Sequence, residues 1–338
     1  MANVGEVIPE CDGTGTSGDP YRYKNATGFK NAIAVTNAYV EANENNMVFD
    51  VNDGVLSATC NLYCKSLNGK GTIIRNLYAN ATNSVLISPK AHGVTYSNIN
   101  FYNMLILISG TNGRSAAFYR PGMSSGGSGD YPVVWNNCNF TGVVKGNMTD
   151  ALDGIINGAL GSGIYAYTKF NNCTFNINFG LTKTNNSNAN IIYGDGGKLQ
   201  LNNCTIQISG KITAQTNNAD YYLCINATLT NCTFMNKQNN PFIIDGAKAV
   251  PRYAPTDSSG YNYFKMYMQN TYTSSPPDFM LTNADKTLFN ISRITGMNSL
   301  NGTAIKMQET NPSSPNNDYI YNAENLAAKG FPIGTTIE

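Results

Sequence analysis

The amino-acid sequence predicts an all-β fold: a single-stranded right-handed parallel β-helix with an N-terminal capping helix and an irregular C-terminal region. Three observations carry that expectation. A six-residue pattern with Asn in third place recurs six times without gaps. After several copies, apolar residues continue on every second position, as on the buried face of a strand. The polar residues are mostly uncharged, with 50 Asn among 338 residues and only 13% Asp, Glu, Lys or Arg, about half the usual charged share. A hydrophobic fraction of 41% is ample for a core, and β-rich solenoids of this length form one unit.

The first region, residues 1–46, is read as an N-terminal segment and a capping helix. Asn3 to Asp19 is rich in Gly and Thr and is expected to be irregular. Thr27 is the expected N-cap of a helix running to about Asn43, because Phe29, Ile33, Ala34, Ala38 and Tyr39 approximate helical spacing. A solenoid needs such a helix, since its first coil otherwise leaves an apolar end and unpaired strand edges open to water. A strand over Met47 to Val51 and a turn at Asn52-Asp53-Gly54 follow.

The β-helix proper is expected over residues 47–245. Its copies are Ile74-Arg75-Asn76-Leu77-Tyr78-Ala79, Tyr96-Ser97-Asn98-Ile99-Asn100-Phe101, Trp135-Asn136-Asn137-Cys138-Asn139-Phe140, Phe170-Asn171-Asn172-Cys173-Thr174-Phe175, Leu201-Asn202-Asn203-Cys204-Thr205-Ile206 and Leu229-Thr230-Asn231-Cys232-Thr233-Phe234. The fourth and sixth residues share a strand face. An apolar first residue breaks the alternation, so the chain must bend between them, where Asn tolerates a left-handed backbone. The copies follow one another at 22, 39, 35, 31 and 28 residues. The shortest interval suggests the basic coil, and the longer ones add loops at corners. Stacking of equivalent positions would then put Asn76, Asn98, Asn137, Asn172, Asn203 and Asn231 in an amide ladder, with Cys138, Cys173, Cys204 and Cys232 stacked beneath it.

Two loops are expected between copies, one over 111–130 containing Ser124-Ser125-Gly126-Gly127-Ser128-Gly129, the other over 146–167. Phosphate cradling by the first is discounted, because no Lys-Ser/Thr pair follows it. Residues 246–338 form the third region, rich in Tyr and Pro between Pro251 and Pro277, with a decayed copy at Leu288-Phe289-Asn290-Ile291 and a short helix over 322–329. Capping, oligomerisation or partner docking is expected there.

Composition narrows the functions. A net charge of +1 gives no basic footprint for nucleic acid or an anionic membrane, and no stretch is apolar enough to span a bilayer. Eight cysteines are too sparse for a disulfide scaffold. Cys60 and Cys64 have no second pair or histidine cluster beside them, so burial as reduced thiols is the reading preferred over zinc. No cofactor or metal is implied. Among acids the nearest pair is Asp150 and Asp153, as glycosidase chemistry would require two carboxyl groups, but Asp-Gly recurs at Asp53, Asp153, Asp195 and Asp245, where it suits tight turns. His92, the single histidine, reads as a loop residue, and Trp135 as core. The Asn-Cys-Thr sequons are placed at buried corners and discounted as glycosylation sites. Tyr221, Tyr222, Tyr261, Tyr263 and Tyr267 offer rings for saccharide stacking, or ordinary strand exteriors.

The Asn-Cys-Thr-Phe coils, together with Asp19-Pro20-Tyr21, a helix and Asp50-Val51-Asn52-Asp53-Gly54, resemble pectate-lyase-like right-handed parallel β-helix proteins over about residues 19–245. Within that superfamily the low charge and the Asn and Tyr content look most like bacteriophage appendage proteins: tailspikes, head fibres or capsid decorations. The resemblance implies a virion surface protein, commonly a homotrimer, that contacts host-surface glycan and other virion proteins. Nothing at the chain start, Met1-Ala2-Asn3-Val4-Gly5-Glu6, reads as a signal peptide, so synthesis in the bacterial cytoplasm is expected. The calcium aspartates of pectate lyases and the aspartate pairs of polygalacturonases have no matching positions, so a non-enzymatic role is preferred. A polysaccharide lyase, a glycoside hydrolase or other depolymerase, and a bacterial surface adhesin stay open as alternatives.

Overall fold

A computed structural model describes residues 2–80, 85–110, 117–123, 131–149, 152–161, 164–184, 189–194, 198–214, 221–230, 233–236, 242–246, 262–265, 294–295, 306–308 and 318–320. These residues are mostly β-strand, with one α-helix. The fold is all-β and its pairing is predominantly parallel, within a 23-stranded sheet.

The N-terminal end is built around aromatic packing. The helix Ala26–Ile33 starts at Asn25, whose side chain accepts the Gly28 N–H at 3.0 Å. The cap is therefore Asn25 rather than Thr27, and the helix stops at Ile33 instead of reaching Asn43. Past it come Val35 and Thr36, which are β-branched and favour strand, and Asn37 takes a left-handed φ of 63°. The chain then pairs Tyr39–Ala42 in parallel with Tyr21–Tyr23. Phe29 packs against Tyr23 and Phe49 with ring centroids 5.2 and 5.5 Å away, joining the helix to the first strands. The segment expected to be irregular contains a short strand, Cys11–Asp12, antiparallel to Tyr21–Tyr23.

Beyond this end, two runs of parallel strands face each other across a common core. The first run stacks Ser66–Arg75, Val94–Gly110, Val133–Asn136 with Asn139–Met148, Thr168–Asn171 with Thr174–Lys183, and Leu199–Asn202 with Thr205–Ala214. The second stacks Cys60–Leu62, Val85–Pro89, Ala117–Tyr119, Ile156–Asn157, Ala189–Tyr193 and Tyr221–Thr230. Tyr119 of the second run meets Trp135 of the first edge-on at 5.8 Å, and Trp135 in turn lies 4.7 Å from Tyr96 and 6.3 Å from Phe170. Phe101, Phe140 and Phe175 stack with centroids 5.4 and 5.0 Å apart. All are essentially inaccessible to water. Each such side chain contributes roughly 1.5–3 kcal/mol by burial, so these aromatics are the main cohesive element of the core.

Registers follow the sequence pattern from its second copy onward. Tyr96 pairs with Trp135, Trp135 with Phe170, Phe170 with Leu201 and Leu201 with Leu229. The first copy differs. Leu67, not Ile74, pairs with Tyr96, while Ile74 pairs with Phe101. The strand Val94–Gly110 carries the apolar-x-Asn-apolar signature twice, at Tyr96-Ser97-Asn98-Ile99 and at Phe101-Tyr102-Asn103-Met104, and the second is the counterpart of Ile74-Arg75-Asn76-Leu77. The 22-residue interval therefore spans two different bends of adjoining repeats.

The two expected loops are shorter than the sequence suggested. Within 111–130, Ala117–Tyr119 is a buried strand, because three consecutive apolar residues are covered on both sides. Within 146–167, the strand from Asn139 runs on to Met148, and Ile156–Asn157 takes its place in the second run. The proposed copy at 288–291 and the helix at 322–329 lie outside the described residues. Toward the C-terminus, Asn262–Lys265 pairs antiparallel with Tyr221–Thr230, and Ile294–Thr295 pairs with its end in parallel.

Candidate functional site

The corner asparagines are held by backbone geometry before they do anything else. Asn98, Asn137, Asn172 and Asn203 have φ of 55°, 54°, 53° and 52°, the left-handed region where most side chains are strained and Asn is tolerated. Their amides run along the stack. Asn98 donates to Asn68 Oδ1 at 2.9 Å, Asn137 to Asn98 at 3.3 Å and Asn172 to Asn137 at 3.4 Å. Asn76 belongs to the other bend, where Asn103 donates to its Oδ1 and its own amide reaches both oxygens of Asp50 at 2.7 and 2.8 Å. These bonds hold the Asp50 carboxyl below its usual range, helped by the Asn52 N–H. Asn231 lies outside the described residues. One position earlier a second amide column runs beside the first: Asn171 donates to Asn136 and Asn202 to Asn171, each at 2.9 Å. Sequence reading missed this column because Ser97, which stands between Asn68 and Asn136 in the stack, breaks the amide pattern.

Beneath the corners the cysteines are buried core groups. Cys138, Cys173 and Cys204 each donate to the carbonyl two residues back, at 3.3, 3.3 and 3.4 Å, and Cys204 also reaches Phe170 O at 3.4 Å. The Cys173 thiol is pushed up, first by hydrogen bonding with the Cys138 thiol, with burial adding to it. Cys60 and Cys64 are buried free thiols as well, and burial pushes Cys60 up to about 12. A raised pKa disfavours the thiolate that nucleophilic attack requires. Cys232 lies outside the described residues.

On the outward side of the long strands, residues of neighbouring strands line up in columns. From the first corner outward, these columns read Asn100-Asn139-Thr174-Thr205, then Thr141-Asn176-Gln207, then Leu105-Val143-Asn178-Ser209, then Leu107-Lys145-Gly180-Lys211, then Asn147-Thr182-Thr213. Amides and hydroxyls link neighbouring strands: Asn139 donates to Asn100 Oδ1 and Asn178 to Ser209 at 2.8 Å. Strands Val94–Gly110, Asn139–Met148, Thr174–Lys183 and Thr205–Ala214 contain no Asp or Glu at all. The corner asparagines Asn137, Asn172 and Asn203 are exposed at the edge of this side, so the sequons Asn172-Cys173-Thr174 and Asn203-Cys204-Thr205 stand at exposed rather than buried corners.

The other sequence candidates scatter. Asp150 lies outside the described residues. Asp153 is half-buried, just past the isolated bridge between Leu152 and Ala189. His92 sits partly covered in the bend before Val94. Trp135 is fully buried. The side chains of the five tyrosines singled out from the sequence lie outside the described residues; among the described residues the exposed rings are Tyr78, Tyr102 and Tyr131, at 38%, 55% and 64% exposure. Tyr102 lies next to the Asn103 bend, on the same sheet as the amide columns.

A separate cavity of about 180 Å³ opens beside the N-terminal helix, lined by Phe29, Ile33, Leu56, Cys60 and Leu77 with Lys30 at its rim. Among the described residues no three His, Cys, Asp or Glu side chains gather as metal ligands, and no helix is long and apolar enough to cross a membrane. Compared with models of protein families, with curated proteins and with solved structures, the chain matches none.

The in-register amide and hydroxyl groups repeat at strand spacing, about 4.8 Å. Many described acids are already engaged in local structure: Glu10 accepts from Asn25 at 2.7 Å, Asp19 pairs with Arg22 at 3.0 Å, and Glu41 lies 3.4 Å from Lys70.

Proposed function

We propose that this chain is a non-enzymatic bacteriophage virion surface protein of the tailspike, head-fibre or capsid-decoration type. In this reading the two runs of parallel strands are faces of one right-handed parallel β-helix, a rigid rod whose outer surface contacts host-surface glycan or neighbouring virion proteins. The observation that carries it is the outward face of the four long strands, where in-register columns are rich in Asn, Thr and Gln and contain no Asp or Glu. Such a surface suits hydroxyl-rich ligands, because every polar group can donate or accept without an ion to desolvate. Stacked strands also keep the groups fixed before binding, which removes ordering costs. Assembly as a homotrimer fits a rod that projects from a particle.

Immunogold electron microscopy with antibody raised against the purified chain tests the location: label on phage particles propagated on the source bacterium supports the reading, and label confined to the cell envelope favours an adhesin. Incubation with a panel of capsular polysaccharides, monitored for reducing ends and unsaturated products, tests the absence of catalysis. Turnover would overturn the non-enzymatic assignment in favour of a lyase or hydrolase. Light scattering after size-exclusion chromatography should return three times the 36.5 kDa chain mass.

A further inference from the structure

The chain passes from Val85–Pro89 in the second run to Val94–Gly110 in the first through the bend Lys90-Ala91-His92-Gly93. Two side chains beside this bend are left incomplete by the packing. Ser88 is 5% exposed, and its hydroxyl has no hydrogen-bond partner among the described residues. A polar group so covered costs stability unless something supplies the missing bond. Lys90 is half-buried and forms no ion pair among the described residues. Burial pushes its ammonium below the usual range, and no carboxylate offsets the shift.

Both groups converge on one spot. Gly122 of the next coil donates its N–H to Pro89 O at 2.8 Å; it is exposed, and no positive φ there requires a glycine. A Cβ on Gly122 would lie 2.4 Å from Lys90 Nζ and 2.5 Å from Ser88 Oγ. The space that any other residue would fill is therefore within hydrogen-bond reach of an ammonium and a hydroxyl at once, and a glycine without a conformational cause is a mark of close approach by something else. The other end of the bend is Gly93, whose N–H bonds Tyr131 O at 3.0 Å. Lys65 Nζ and Tyr131 Cβ stand 3.4 and 3.5 Å from where its Cβ would be. Lys65, like Lys90, forms no ion pair among the described residues, and the Tyr131 ring is 64% exposed. One four-residue bend thus gathers a pair of converging donors, a second cation and an open aromatic ring.

We propose that this bend is a binding site for a carboxylate-bearing sugar, its carboxylate over Gly122 between Lys90 Nζ and Ser88 Oγ and its ring toward Tyr131. The inference rests on the reading of the chain as a glycan-contacting surface protein and names the class of glycan, but it uses none of the amide columns. A carboxylate matches the donors: one charge and two oxygens against one ammonium and one hydroxyl. A neutral sugar leaves Lys90 without a counter-charge. Tyr131 offers an apolar face for the ring, and Lys65 adds positive charge beside it. Charge, space and stacking come from different residues, so each can be removed alone.

The test uses the full chain and two probes that differ at the carboxylate, methyl β-glucuronide and methyl β-glucoside, in ligand-observed NMR titrations at pH 7. The glucuronide should bind roughly tenfold tighter, the worth of one charge-assisted contact. Lys90→Gln should abolish that preference, and Tyr131→Ala should weaken both sugars. Gly122→Ala should weaken the glucuronide by roughly tenfold, because its methyl group takes the place of the carboxylate; the flexible end of Lys90 yields to it, so the thermal midpoint should hold. Asp130, the residue before Tyr131, lies outside the described residues, and Asp130→Asn should not raise the affinity. A rise of about threefold or more there would mean that Lys90 is already neutralised, and would overturn the site. Equal binding of the two sugars, wild-type affinity in Gly122→Ala, or no glucuronide binding at millimolar concentration overturns it as well. Each of these leaves the broader reading standing, whereas absence of the label from phage particles strikes only that reading.

Discussion

Replacing Asn137 by Ala, and separately by Gly, separates two contributions of a corner asparagine. At φ 54° an alanine is placed in the left-handed region, at a cost of roughly 1–2 kcal/mol. The lost side chain also removes two long amide bonds, to Asn98 at 3.3 Å and from Asn172 at 3.4 Å. Both lie at an exposed corner and together contribute about 0.5–1 kcal/mol. Glycine loses the same bonds and adds about 0.5–1 kcal/mol of unfolded-chain entropy, yet it adopts the left-handed backbone without strain. Both variants should therefore be destabilised, with Ala below Gly by about 1 kcal/mol, and Asn172 should give the same order. Urea unfolding followed by circular dichroism reads the difference, with thermal midpoints at one scan rate as a check. An Ala variant as stable as wild type, or a Gly variant less stable than Ala, would refute the left-handed corner as the reason Asn recurs in this place.

Three further outcomes follow from the core. Tyr119 Oη and Thr168 Oγ1 bond at 3.0 Å in a fully buried setting, so Thr168→Val should cost about 1–3 kcal/mol by stranding the tyrosine hydroxyl, and adding Tyr119→Phe should recover part of it; purely additive losses in a double-mutant cycle would exclude the bond. Trp135 is the single tryptophan and is fully buried among aromatic rings, so native fluorescence should be blue-shifted and resist acrylamide quenching, and Trp135→Ala should lose about 3–5 kcal/mol. Burial raises the Cys60 thiol from 9.0 to about 12. The folded state then holds a proton that the unfolded chain releases, so this stability is complete below pH 9 and falls as pH rises through about 12. Alkaline titration of unfolding should show a shallower decline in Cys60→Ala than in wild type, and parallel curves would count against the buried thiol.

The corner asparagines and the inward cysteines were legible in the sequence because each is fixed by local geometry. Asn is the side chain that enters the left-handed region most readily after Gly, and a residue one place beyond the bend must turn inward. The registers of Trp135, Phe170, Leu201 and Leu229 were legible for the same reason. What misled was degeneracy: Ile74-Arg75-Asn76 carries the signature of Tyr96-Ser97-Asn98, yet it makes the second bend and stacks on Asn103. Local sequence cannot say which bend of a repeat an Asn occupies; only the partner strand decides. The buried strand Ala117–Tyr119 was hidden inside a Gly- and Ser-rich interval, since three apolar residues give too short a run for alternation to register. The exposed Tyr102 was missed because it sits between a core Phe and a corner Asn, where either facing satisfies the local pattern.

The same degeneracy explains why candidate chemistry could not be read from residue type alone. Cysteine, tryptophan and histidine attract attention in a sequence, but here Cys138, Cys173, Cys204 and Trp135 face inward, where buried thiols and stacked rings supply cohesion. A strand's two faces are set by a period of two, so a one-residue difference decides between core and surface. Ser88, Lys90 and Gly122 are unremarked in the linear sequence because Gly122 lies 32 residues past Lys90, in a context, Pro-Gly-Met, that shares no motif with Ser-Pro-Lys. The parallel stacking of Val85–Pro89 and Ala117–Tyr119 brings them together. In such a fold the inward positions are constrained by their neighbours in the core. Side-chain identity is freer to vary on the outward columns, one repeat at a time, without disturbing the packing that holds them in register.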